Sequence, residues 1–122
     1  MRQQGRDLMA LHHTRPSTPV DVQPLRERLS GEASSALFKA RDLEVLRLVL
    51  LAGKSMPPHE VAGDITLQCI EGALEIESDD GAATLEAGRL LYLRGGVRYR
   101  IRAVMDSSAL MTIALKSELK SD

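Results

Sequence analysis

The segment GKSMPPHEVAGD, from Gly53 to Asp64, holds the most suggestive chemistry in the chain. It carries one imidazole, His59, set directly after two prolines and six residues past a glycine. A second histidine at position 61 would make half of a metal site, but that position is Val61. A divalent transition metal needs three or four convergent N, O or S donors, and valine supplies none. A lone imidazole can still donate and accept hydrogen bonds, or carry a proton. It also suits a plain residue at a mouth or an interface.

Other reactive residue types are sparse. Cys69 is the single cysteine and lies in the apolar run ITLQCI. With no basic neighbour in sequence to favour the thiolate, it reads as a small buried hydrophobe rather than a nucleophile. His12 and His13 adjoin in a polar arm. On an extended chain their rings point apart, so designed metal binding is not expected there. Arg89, Arg94, Arg98, Arg100 and Arg102 crowd one stretch. They could form an anion site, or a solvated sheet face that discourages edge pairing. With an aromatic content of 2% and a net charge of -1, nucleic acid finds neither stacking platforms nor a global field, so no nucleic-acid partner is expected.

The elements that must position these groups are short and β-rich. ALFKA, LEVLRLVLLA, ITLQCI, ALEIES, ATLEA, LLYL, VRYRIRAV and ALMTIAL follow one another from Ser35 onward. Each is rich in Val, Ile, Leu or Thr and bounded by turn residues, which predicts eight strands in an all-β sandwich or barrel. Asp79-Asp80-Gly81 suits a hairpin, Gly88 and Gly95-Gly96 suit corners, and Pro57-Pro58 marks an edge or a strand start. In VRYRIRAV, Val97, Tyr99, Ile101 and Ala103 share one face and Arg98, Arg100 and Arg102 the other. Leu74 and Ile76 oppose Glu75 and Glu77 in the same way. Gln68 interrupts ITLQCI and is a candidate ligand-binding amide. Alternation sets it with Thr66 and Ile70, opposite Ile65, Leu67 and Cys69, so it points outward if Ile65 points inward; a bulge would reverse that.

Length and composition agree with one domain. A chain of 122 residues buries roughly 65% of its unfolded surface, enough for a real core. That core must be aliphatic. One cysteine excludes an internal disulfide and suits a reducing cytoplasm. MRQQGRDLMALHH has no apolar stretch of signal-peptide length, and VLRLVLLA is too short and carries Arg47, so no membrane association is expected. Residues 1–34 read as a loosely ordered arm, with one helical turn at PLRERLS placing Leu25 and Leu29 together and a short strand near Val20–Val22. The β domain spans 35–116, and 117–122 form a tail.

The spacing of Gly53–Gly72 and Gly88–Tyr99 resembles the two signature motifs of the cupin superfamily. The first runs glycine, five residues, His-x-His, three or four residues, Glu, six residues, glycine. The second runs glycine, five residues, Pro-x-Gly, two residues, His. The match covers about residues 35–116, and SMPPHEVAGDITLQCIEGALEI is similar to small single-domain cupins. The resemblance implies a double-stranded β-helix, a cupin jelly-roll barrel of two antiparallel sheets around a lumen, paired as a homodimer.

Carried over position by position, the resemblance puts His59 at the first metal-ligand position and Val61 at the second. Ile65 stands for the carboxylate and Tyr99 for the final histidine, while Arg89 replaces a usual Asp. No metal and no cofactor are therefore expected. Asp64 could complete only a poor set if a bulge swung it inward, and phenol ionises near pH 10. The expectation is a metal-free module that binds an unknown small molecule through His59, Tyr99 and Gln68. The alternative is an enzyme of the isomerase, epimerase or dioxygenase kind using His59 and Tyr99. In cupin topology the second-motif strand lies beside ALEIES, so the arginines are expected to pair with Glu75 and Glu77.

Overall fold

The structure, a computed structural model, describes residues 14–115; His12, His13 and the 117–122 tail lie outside the described residues. Alternating burial builds nine strands: β1 (Ser35–Lys39), β2 (Leu43–Leu50), β3 (Ser55–Glu60), β4 (Ile65–Glu71), β5 (Ala73–Ser78), β6 (Gly81–Glu86), β7 (Leu90–Leu93), β8 (Arg98–Ala103) and β9 (Ser107–Ala114). They form a five-stranded sheet in the order β1-β2-β9-β4-β7 and a four-stranded sheet in the order β3-β8-β5-β6. All pairings are antiparallel. The architecture is the all-β double-stranded β-helix expected from the sequence.

Each strand turns its apolar set inward. Ile65, Leu67 and Cys69 of β4 are buried, while Thr66 and Gln68 are exposed. Leu74 and Ile76 of β5, Tyr99, Ile101 and Ala103 of β8, and Ala109 and Met111 of β9 complete the same interior. These residues, with Leu48, Leu85 and Leu93, make one core cluster. Each fully buried Leu or Ile contributes about 1.5–3 kcal/mol. The space between the sheets is thus packed with mostly aliphatic side chains, with Tyr99 among them.

One strand was not legible as a strand. Residues 55–60, SMPPHE, form β3 at the edge of the four-stranded sheet, and the register with β8 shifts between Met56 and His59. Two prolines can sit there because an edge position leaves backbone donors without a ladder partner. The Asp79–Asp80 hairpin joins β5 to β6, with Ser78 paired to Gly81. Gly72, between β4 and β5, is dictated by space and by conformation. Its φ is +85°, and a Cβ there would lie 2.3 Å from the Asp106 carbonyl oxygen.

The arm departs from expectation at one place and agrees at another. Residues around Val20–Val22 make no strand, while the helical turn expected at PLRERLS is present as a 3₁₀ helix from Arg26 to Gly31. Leu25 and Leu29 are both buried, so the expected pairing of these two leucines on one side holds. From Asp21 to Leu29 the arm is docked on the five-stranded sheet.

Candidate functional site

His59 and Tyr99 are direct cross-strand partners on β3 and β8. Residues opposite one another in an antiparallel pair share a face, so His59 sits on the interior side of the sheet. The edge position of β3 leaves it exposed, whereas Tyr99 is only 3% exposed. Their ring centroids lie 6.3 Å apart at 40°. His59 is therefore at the mouth, and Tyr99 is the first polar group beneath it.

The two side chains are prepared differently. His59 Nδ1 is 3.2 Å from the Pro57 carbonyl oxygen. A carbonyl only accepts, so Nδ1 carries the proton and Nε2 of the neutral ring is an acceptor. Burial pushes the Tyr99 phenol above its ordinary pKa, which keeps the hydroxyl protonated. That hydroxyl has no hydrogen-bond partner among the described residues. The pair thus offers one donor and one acceptor above an aliphatic floor.

The residues present do not fit a resident metal ion. Ile65 is buried with an apolar side chain, and Val61 packs against the core cluster. Asp64 does not swing inward: its Oδ1 accepts the Gly95 amide at 2.8 Å. Among the described residues no group of three or more His, Cys, Asp or Glu converges. Even with the phenol, His59 lacks the donors that a transition metal requires.

Three other candidates fall away from this mouth. Gln68 is exposed on the outer face of β4, opposite Leu90 of β7, because Ile65, Leu67 and Cys69 take the interior. It faces away from the interior, and the irregularity in the pairing of β4 falls past it, between Cys69 and Glu71. Cys69 is fully buried, and desolvation raises its thiol pKa, as suits an inert core residue. The arginines form the charge ladder: Arg102 pairs with Glu75 at 3.0 Å and Arg100 approaches Glu77 at 3.9 Å. Arg94 instead makes a two-point bond to Asp80.

A polar cluster that sequence reasoning missed lies on the far side of the five-stranded sheet. The Glu71 carboxylate accepts the Leu25 amide at 2.8 Å, the Arg26 amide at 3.0 Å and the Ser108 hydroxyl. Arg47, only 7% exposed, donates to the Gln23 and Asp21 carbonyls at 3.1 and 3.0 Å. Partial burial alone would raise the Glu71 pKa. The Ser108 hydroxyl, the two amides and the Arg47 charge outweigh that and hold it below its ordinary value. Arg26 keeps a left-handed φ of 56°, a strain offset where the Glu71 carboxylate accepts its amide and that of Leu25. The signal was available: Arg47 is a lone charge inside an apolar strand, and such a charge demands partners.

No family model matches the chain, and no curated protein is similar to it in sequence. Solved structures are similar in fold. A conserved protein of unknown function from Streptococcus pyogenes aligns with a TM-score of 0.68 at 18% identity, covering 86% of this chain and 93% of that one. An RmlC-like cupin protein from Desulfovibrio desulfuricans aligns with a TM-score of 0.61 at 24% identity, covering 67% and 80%. An RmlC-like cupin with a double-stranded β-helix fold from Methanocaldococcus jannaschii aligns with a TM-score of 0.61 at 20% identity, covering 67% and 78%. With the strand order and the two motif segments already in place, these likenesses establish that the chain has the cupin fold.

Proposed function

We propose that this protein is a metal-independent module that binds a small, mostly apolar or weakly polar molecule at the His59–Tyr99 mouth. The observation that carries this reading is Tyr99, a residue only 3% exposed whose hydroxyl has no protein acceptor among the described residues. A buried hydroxyl left unpaired costs about 1–3 kcal/mol, so an acceptor supplied from outside recovers that energy. His59 Nε2 accepts a second bond from the same molecule, and Met56 and Val61 at the rim supply apolar contact. Apolar walls with a few placed polar groups are the usual makeup of a small-molecule site.

A thermal-shift screen of small metabolites tests this reading, with Tyr99→Phe and His59→Ala measured beside the native chain. A genuine ligand raises the native midpoint, and either substitution removes most of that rise. A ligand whose stabilisation survives both substitutions would place the site elsewhere. Elemental analysis should find well under one transition metal per chain, and a stoichiometric metal that survives dialysis would sink the metal-independent reading.

A second reading has one observation in its favour. The Pro57 carbonyl fixes the His59 tautomer, leaving Nε2 free to act as a base near a protonated phenol. That is the arrangement an acid–base isomerase needs. Once a ligand is identified, deuterium exchange into it from heavy water, lost in His59→Ala, would distinguish catalysis from binding.

A further inference from the structure

Phe38 is the single phenylalanine of the chain, yet it is absent from the core cluster. The register of β1 explains why. Ala36 lies opposite Leu46, but Phe38 lies opposite Val45, so one extra residue, Leu37, is accommodated between them. Such a bulge re-aims the side chain that follows it. Leu46 packs against the core, and Val45, its neighbour along β2, points to the other face. Cross-strand partners share a face, so Phe38 is turned away from the core and stays only half-buried.

Phe38 and Ala40 line one side of a pocket of about 610 Å³, and Pro16 and Pro19 of the arm line the other. That volume falls within the range of roughly 300–1,000 Å³ typical of small-molecule sites. The arm wall is stiff. Arg15-Pro16-Ser17-Thr18 is a β-turn closed by the Thr18 amide on the Arg15 carbonyl at 3.2 Å. Pro16 fixes the first central residue, and Ser17 takes a left-handed φ of 66° at the second, where glycine is the ordinary choice. The Thr14 amide donates to the Leu37 carbonyl at 2.8 Å, which fastens this wall to the bulge itself.

The charge of the lining is one-sided. Arg15 and Lys39 belong to it, and among the described residues no carboxylate does. Arg94, Arg100 and Arg102 each have a carboxylate partner, whereas Arg15 and Lys39 have none among the described residues. Lys39 stands across from Glu44 in register without pairing to it. We propose that this pocket binds a small amphipathic anion, a fatty or aromatic carboxylate. Its apolar body lies against Phe38, Pro16 and Pro19, and its head meets Arg15 and Lys39. The planar guanidinium can hold a carboxylate by two parallel hydrogen bonds, and the apolar body takes the ring of Phe38 out of water. Neither His59 nor Tyr99 lines this pocket, so it stands apart from the mouth described above.

Calorimetric titration of the full chain with octanoate and with 1-octanol separates head from body. Octanoate is expected to bind once per chain, about tenfold more tightly than 1-octanol. Arg15→Gln combined with Lys39→Gln is expected to erase that preference and leave 1-octanol binding as it was; both positions are exposed, so the fold does not depend on them. Phe38→Ala is expected to weaken both probes. Absence of octanoate binding would overturn the proposal, as would equal affinity for the two probes or a preference that survives the double substitution. Unchanged binding in Phe38→Ala would do the same. Octanoate binding is expected to persist in Tyr99→Phe. Its loss there would move the anion to the mouth, sinking this pocket while supporting the reading of His59 and Tyr99.

Discussion

Glu71, on the outer face of the five-stranded sheet beneath the arm, and Tyr99, in the interior, are both polar groups beside buried apolar side chains, and they are treated in opposite ways. Glu71 receives two backbone amides and a serine hydroxyl, with the Arg47 guanidinium nearby. Tyr99 is more deeply buried and receives nothing among the described residues. A satisfied polar cluster rigidifies whatever it joins, whereas an unsatisfied one holds energy that only another molecule can recover. The contrast separates structure from proposed site: Glu71 fastens the arm to the sheet, and Tyr99 is the group to which the proposal assigns a ligand.

The largest effect should come from breaking the satisfied side. Glu71→Ala strips acceptors from the Leu25 and Arg26 amides and from Ser108, and removes the negative charge near Arg47. The expected loss is about 2–4 kcal/mol, seen as a lower midpoint in thermal or urea denaturation. Limited trypsin digestion should then cut at Arg26 and Arg28, where the native chain resists. A variant with unchanged stability and an uncut arm would mean that the carboxylate fastens nothing.

Acid should reproduce part of that loss. The folded Glu71 carboxyl is held below its ordinary value, so its contribution is complete above the unfolded pKa of about 4.3 and is lost as pH falls through the folded value. Asp80, lowered by its bond to Arg94, also titrates in that region. Glu71→Gln therefore isolates the effect: its stability should fall less steeply below about pH 4 than that of the native chain. Parallel curves would show that Glu71 does not report on arm docking.

The same contrast explains what could be read without a structure. Alternation alone sets Gln68 opposite Ile65 and Tyr99 opposite Arg100 and Arg102, because side-chain direction along a strand is a local property. That Arg100 and Arg102 lie beside Glu77 and Glu75 was legible only through the strand order the cupin resemblance implies. The Glu71 cluster was not legible, since its partners Leu25, Arg26 and Ser108 lie 46, 45 and 37 residues away. β3 was read only as an edge or a strand start, because prolines argue against pairing unless the strand is known to lie at an edge. Val20–Val22 had strand-like residues but no neighbouring strand to pair with. The resemblance implies a lumen but not whether it is open or filled, because how far Leu, Ile and Met fill the gap between two sheets depends on three-dimensional spacing that no linear pattern encodes.

The smallest stability change should come from the unsatisfied side. Tyr99→Phe keeps the ring and its volume, so it opens no cavity and removes only the hydroxyl. Where that hydroxyl holds a protein acceptor, its loss costs about 1 kcal/mol; where it holds none, the change is near zero or slightly favourable. Chemical denaturation of the ligand-free chain should therefore find Tyr99→Phe within about 0.5 kcal/mol of the native protein, or above it. A loss as large as that of Glu71→Ala would mean that the phenol is already tied into the fold. The distinction between the two polar groups would then disappear, and the reason for placing a ligand at this mouth would go with it.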